Sequence, residues 1–187
     1  MTDDTTTRDV VDVLTEDHHS VLNLIAEIPT TSDPAEKRAI ADIVIAEIVR
    51  HSVAEEMHVY PAIRKHLPDG ESKVEHDVQE HKELEATLKQ LEGADASEPG
   101  FAELVSDVER QLRHHASEEE KTQFPELRQH LPAEELQRLG KQVELAEQIA
   151  PTRPHPSAPN AALFHKTVGP GVGMIDKLRD VLSRRPT

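Results

Sequence analysis

His51-Ser52-Val53-Ala54-Glu55 and its echo His115-Ala116-Ser117-Glu118-Glu119 are the stretches whose reading decides the fold. On a helix, residues four apart share a face one turn apart, so each His and Glu can reach the same point in space. An imidazole nitrogen beside a carboxylate oxygen is half of a metal site. An offset of 64 superimposes His51 on His115 and Glu55 on Glu119, and carries on through Glu56/Glu120, Tyr60/Phe124, Pro61/Pro125, Arg64/Arg128 and Pro68/Pro132. An offset of 63 brings Asp17-His18 onto Glu80-His81. The chain therefore reads as two helical hairpins of like pattern, each with one lone His and one His-x-x-x-Glu pair. The repeat also fixes a phase: His114 lies four residues before Glu118, but the proline anchor selects His115 and Glu119 as the matching pair.

Working outward, each flanking segment carries a helical apolar stripe. The first is predicted to start after a Thr5–Thr7 cap and run to about Ile28, with Val10, Leu14, His18, Val21, Ile25 and Ile28 spaced 4, 4, 3, 4, 3. His18 lies on that stripe, and His19 is rotated about 100° off it. Ser32-Asp33-Pro34 starts a second helix over about 34–66, in which Pro61 is expected to introduce a kink. A third, over roughly 71–92, turns Val74, Val78, His81, Leu84, Leu88 and Leu91 inward. A fourth covers about 101–130, and Pro132 opens a fifth with Leu136, Leu139, Val143 and Ala146 on one face. The predicted fold is all-α: an antiparallel four-helix bundle with an additional C-terminal helix and a Pro-rich tail. Residues 1–150 form the bundle and fifth helix. Residues 151–187 form a Pro/Gly-rich linker and short helical tail, whose Gly169-Pro170-Gly171-Val172-Gly173 reads as a turn before a Met174–Leu182 docking helix.

Composition narrows the chemistry. The 187 residues include no Cys, which excludes disulfides, thiolate catalysis and cysteine-ligated clusters. A net charge of −15 argues against nucleic acid and anionic membranes as partners. No stretch approaches about 18 consecutive apolar residues, and the acidic N-terminus has no signal-peptide pattern, so a cytoplasmic protein is expected. Two carboxylates and four imidazoles on the apolar stripes of four helices would be costly to desolvate unless a metal compensates them. His18, His51, Glu55, His81, His115 and Glu119 are too many for one tetrahedral zinc, yet they match two ions bridged by both glutamates. Nitrogen and oxygen donors suit iron best; manganese and zinc are compatible with the same donors. His58, about 20° from His51 around an ideal helix, and Tyr60 are candidate extra ligands or partners of a ligand. Ideal geometry places Tyr60 on the far side, where it would pack, unless Pro61 changes the phase.

The order H…HxxxE…H…HxxxE, with an aromatic-Pro step after each pair, resembles the hemerythrin-like (HHE cation-binding) family over about residues 9–130. With its Pro-rich tail the whole is similar to actinobacterial and mycobacterial hemerythrin-like proteins. Ferritin-like bundles use Glu-x-x-His and fit less well. The resemblance implies two iron ions as an oxo- or hydroxo-bridged non-haem centre, with the four histidines as terminal ligands and Glu55 and Glu119 as bridges. It implies a small diatomic or peroxide ligand and a monomer or weak homodimer. Two departures bear on activity. Asp77 stands where the oxygen-carrying members have a fifth histidine, and Glu119 follows its histidine by four residues where they have an aspartate after five. The expectation is redox detoxification, by catalase-like peroxide breakdown or NO turnover. Reversible O2 or NO binding or sensing, and iron storage, are the alternatives.

Overall fold

A computed structural model describes residues 8–150 and 152–154. The first helix, α1 (Val10–Glu27), begins with a reciprocal cap: Asp12 N–H donates to Asp9 Oδ1 at 2.9 Å, and Asp9 N–H donates to Asp12 Oδ2 at 3.1 Å. This satisfies donors that the first helical turn leaves open. The cap is thus Asp9, downstream of the predicted Thr5–Thr7, which lies outside the described residues. A 3-10 turn at Ile28–Thr30 absorbs Pro29. α2 (Pro34–Ala54) starts as its sequence dictates, with Ala35 N–H donating to Asp33 and Pro34 in the first turn, where a missing N–H costs nothing.

α2 does not end at Ala54 but passes through a π turn, Glu55–Val59, into α3 (Tyr60–His66) as one continuous rod. α4 (Gly70–Gly93) follows a tight corner where Asp69 is left-handed, at φ 54°. A Cβ on Gly70 would stand 2.2 Å from the Ile63 carbonyl oxygen, so only glycine allows that corner to close on α3. α5 (Pro99–Glu118) runs through a second π turn, Glu119–Gln123, into α6 (Phe124–His130), and α7 (Ala133–Ile149) completes the chain of helices.

The two π turns are repeat-equivalent and share one cause. Pro61 and Pro125 have no N–H to give the carbonyl four residues back, and the ladder relaxes to a five-residue step. Tyr60 N–H then donates to Glu55 O, and Phe124 N–H to Glu119 O. The proline effect predicted as a kink is therefore a change of helical phase.

Helices α1, α2, α4 and α5 pack in a closed antiparallel ring, α1 on α2, α2 on α4, α4 on α5 and α5 on α1. The fifth rod, α7, lies against α1 and α2. It approaches closely at Gly140, whose Cβ would meet the backbone of Asp9 and Val10 at 3.1 Å. The apolar core is in two separate parts. One joins Val10, Leu14, Ile63, Val74, Leu127 and Val143; the other joins Ile25, Ile48, Leu84, Leu88, Val105 and Leu112. A polar layer at mid-bundle divides them, made of His18, His51, Glu55, Asp77, His81, His115, Glu119 and Gln123. Beyond α7, Thr152 and Pro154 are buried, and Arg153 donates to Glu92 at 2.8 Å, so the first residues of the linker dock on the bundle. The predicted Met174–Leu182 helix lies outside the described residues. Among the described residues, no helix is long and apolar enough to cross a membrane.

Candidate metal centre

The polar layer brings together all six residues singled out from the repeat. His18, His51, Glu55 and Glu119 form one group, and His81, His115 and Glu55 form another, with ligand atoms in each group within 4.8 Å of one another. The Nε2 atoms of His18 and His51 face each other at 3.1 Å, and those of His81 and His115 at 3.2 Å. Glu55 stands between the pairs: Oε1 lies 3.4 Å from His51 Nε2, and Oε2 lies 3.4 Å from His81 Nε2 and 3.8 Å from His115 Nε2. Glu119 Oε2 lies 3.4 Å from His18 Nε2 and 3.6 Å from His115 Nε2. Both carboxylates thus reach both halves of the layer.

Two observations test whether these residues fit metal ions. Donors bound at about 2.1 Å to one ion stand roughly 3.0–3.4 Å apart, close to the spacing found here. Second, Glu55 Oε1 and Oε2 and Glu119 Oε2 are buried and accept no hydrogen bond among the described residues. Glu55 is fully buried and Glu119 is 1% exposed. A buried, unbonded carboxylate oxygen costs several kcal/mol unless a cation meets it. The donor set fits.

The outer nitrogens decide which imidazole atom faces inward. His18 Nδ1–H donates to Glu120 at 2.9 Å, His81 Nδ1–H to Glu56 at 3.1 Å, and His115 Nδ1–H to Glu80 at 2.8 Å. A carboxylate on Nδ1 holds the proton there and leaves Nε2 as a lone pair. His51 differs: Asp17 is its counterpart partner, but the carboxylate stops 3.8 Å short and Nδ1 is unbonded. Asp17 is one methylene shorter than the equivalent Glu80. It also lies within 4.8 Å of Glu147 of α7, whose carboxyl is pushed up to about 8 by burial and by the charge of Asp17.

Electrostatics point the same way. Burial would lower the pKa of His18, His81 and His115, but adjacent carboxylates outweigh it. All three are raised: His18 by Glu119, His81 to about 9 by Glu55 and Glu56, and His115 well up by Glu119 and Glu55. Burial would raise the Glu55 carboxyl, yet the surrounding imidazoles hold it well below the usual carboxylate range. The layer favours positive charge.

Tyr60 belongs to this layer. The π turn places it over Glu55, fully buried, with its hydroxyl 3.1 Å from His81 Nε2 and its ring stacked on His81 at 5.6 Å. Burial and then the charge of Glu55 raise its pKa well above the usual phenol value. The ideal-helix placement on the far side is thereby corrected. His58 is half-buried and joins none of the metal-capable groups found among the described residues. Asp77 is buried, and both its carboxylate oxygens accept from the Gln123 amide nitrogen, at 3.0 and 2.9 Å; burial, then the charge of Glu119, lift its pKa to about 6. Sequence reading did not single out Glu56, Glu80, Glu120, Asp17 or Gln123 as parts of the site. The signal for the first four was present, since the same offsets pair Glu56 with Glu120 and Asp17 with Glu80.

A model of the hemerythrin HHE cation binding domain matches residues 9–127, which hold all six of the buried His and Glu side chains. The chain belongs to the hemerythrin HHE cation-binding family. It is 30% identical over 178 residues to an uncharacterised hemerythrin-like protein of Schizosaccharomyces pombe, covering 95% of this chain and 88% of that one. It is also 25% identical over 138 residues to a DNA nickase of a Nostoc species. That match covers 74% of this chain and only 39% of the nickase. No solved structure matches. The fold, the family and a buried His/Glu cluster able to hold metal agree with one another.

Proposed function

We propose that this hemerythrin-like chain is a non-haem di-iron protein that reacts with O2, NO or peroxide, with redox detoxification as its role. The observation that carries this reading is the set of unbonded carboxylate oxygens of Glu55 and Glu119, buried between two pairs of facing imidazoles. His18 and His51 would hold one ion and His81 and His115 the other, with the two glutamates shared. Iron bound there supplies reversible one-electron chemistry and a place for a small ligand. The chain's own groups do the rest. Glu56, Glu80 and Glu120 fix three imidazoles in the metal-facing tautomer, and the apolar layers above and below exclude water. The Tyr60 hydroxyl holds a proton beside His81, and burial keeps it there as a neutral phenol at physiological pH.

Asp77 favours turnover over reversible carriage. It is a carboxylate that accepts from Gln123 where the resemblance would require an imidazole for oxygen transport, and it sets a proton-accepting group near His115. The net charge of −15 weighs against extending the nickase activity of the Nostoc relative to this chain.

Aerobically purified protein is expected to carry about two irons per chain. Adding hydrogen peroxide should release oxygen over many turnovers, and anaerobic NO should be consumed beyond one equivalent. Fully folded protein that takes up no iron overturns the proposal. Iron-loaded protein that binds O2 or NO stoichiometrically and turns over neither NO nor peroxide favours a binding or sensing module.

A further inference from the structure

The unused histidine–glutamate pair of the sequence, His114 and Glu118, has a companion. His76 and Glu80 are also four residues apart, on α4, and the two pairs meet across the α4/α5 contact. His76 Nε2 lies 3.0 Å from Glu118 Oε2 and 3.5 Å from Glu80 Oε1. His114 Nε2 lies 3.3 Å from Glu80 Oε1 and 3.7 Å from Glu118 Oε1. Donors at about 2.0–2.2 Å around a tetrahedral ion stand roughly 3.3–3.6 Å apart, and these four contacts, at 3.0–3.7 Å, bracket that spacing. The ligand atoms of His76, Glu80 and Glu118 fall within 4.8 Å of one another, and His114, 62% exposed, is free to swing its ring in as the fourth. Neither carboxylate pairs with a Lys or Arg among the described residues; every cationic partner of Glu80 and Glu118 is an imidazole. Beneath them a cavity of about 370 Å3, lined by Glu80, His114 and His115, leads from this cluster towards the polar layer.

We propose that His76, Glu80, His114 and Glu118 form a separate surface site for a divalent cation that accepts two imidazoles and two carboxylates, with zinc the best match. A tetrahedral ion there would replace four weak cross-helix contacts with metal–ligand bonds and pin α4 to α5. It would also share Glu80 with the paired centre, because Oε1 faces the surface cluster while Oε2 accepts the His115 proton at 2.8 Å. Mutual repulsion of Glu80 and Glu118 is relieved by a cation at this position whatever the protonation of the histidines. The site does not depend on the paired centre being iron.

The test is equilibrium dialysis of metal-stripped protein against low-micromolar free Zn2+, followed by elemental analysis. The expected result is one equivalent fewer in the His76→Ala/His114→Ala double variant than in the wild type. A control with His19→Ala and His130→Ala, two exposed histidines elsewhere, should bind as the wild type does. The same one-equivalent difference should appear in a His51→Ala background, where the paired centre is impaired. That arm separates failure of this site from failure of the di-iron reading. Equal zinc content in the wild type and the His76/His114 variant overturns the proposal, as does an equal loss in the His19/His130 control. His19, His76, His114 and His130 are all exposed, and helical content by circular dichroism checks that every variant, those in the His51→Ala background included, remains folded.

Discussion

The two hairpins supply the same ligands but not the same surroundings. In the second half, Glu80 reaches His115 Nδ1 at 2.8 Å, while in the first half Asp17 stops 3.8 Å from His51. In the first half Tyr60 puts a hydroxyl on His81; in the second Phe124 stacks on His18 at 5.9 Å, with ring planes 6° apart and no polar atom to offer. Each flank has its own cavity: on the first half, where α7 brings Glu147 beside Asp17 and His51, it is about 210 Å3, and on the second, beside Glu80, His114 and His115, about 370 Å3. The repeat keeps the six His and Glu side chains of the layer and differs in what surrounds them. One ion would be held by His18 and His51 with a loosely supported imidazole, the other by His81 and His115 with a phenol next to it. The account therefore predicts two inequivalent ions in one bridged centre.

Removing a shared or terminal ligand should erase the comparison altogether. His51→Ala and Glu119→Ala are expected to abolish paired iron loading, read as iron per chain, whereas His19→Ala leaves it unchanged. Retention of two irons in either ligand variant would break the assignment. The partners of the ligands should separate the halves. Glu80→Ala is expected to weaken metal binding roughly 10–100-fold, as loss of an imidazole's carboxylate partner does. Asp17→Ala should cost several times less, because its bond to His51 is not formed. Competition with a metal chelator measures both.

Much of this was legible beforehand. The helix start at Pro34 and the inward histidines follow from local signals and from periodicity, which depend only on neighbours along the chain; the fourth helix, expected from about 101, begins at Pro99. The six ligands follow from the repeat. Tyr60 was misplaced for one physical reason: an ideal helix advances by a fixed angle, and proline at 61 substitutes a five-residue step that brings the ring onto His81. The partners of His18, His81 and His115 come from neighbouring helices around the ring. Their pairing is set by how the hairpins pack, which no single stretch displays.

A smaller effect should distinguish the aromatic pair. Tyr60→Phe is expected to leave iron content unchanged and lower peroxide turnover roughly tenfold or more, as loss of a positioned proton donor does. Phe124→Tyr should not restore it, since that ring lies on His18. Unchanged turnover in Tyr60→Phe would make the hydroxyl a packing feature.

Farther from the centre, the Asp9 cap sets the smallest effect. Burial would raise the Asp9 carboxyl, but the Arg128 guanidinium, at 3.0 Å, holds it below its usual value of 3.8. A carboxyl lowered on folding contributes stability above its unfolded pKa and loses it as pH falls through the folded value. Asp9→Asn keeps a capping side chain and removes the ion pair. It should cost under about 1 kcal/mol at pH 7, and the difference from wild type should shrink below about pH 4. Urea midpoints at the two pH values measure it.

The central claim is a pair of inequivalent, bridged ions held by His18, His51, His81, His115, Glu55 and Glu119. The Mössbauer spectrum of the protein loaded with iron-57 tests it most directly. The account predicts two quadrupole doublets of equal area from a magnetically coupled pair that gives no mononuclear high-spin ferric resonance. A single iron site with mononuclear magnetism, in folded protein saturated with iron, would contradict it.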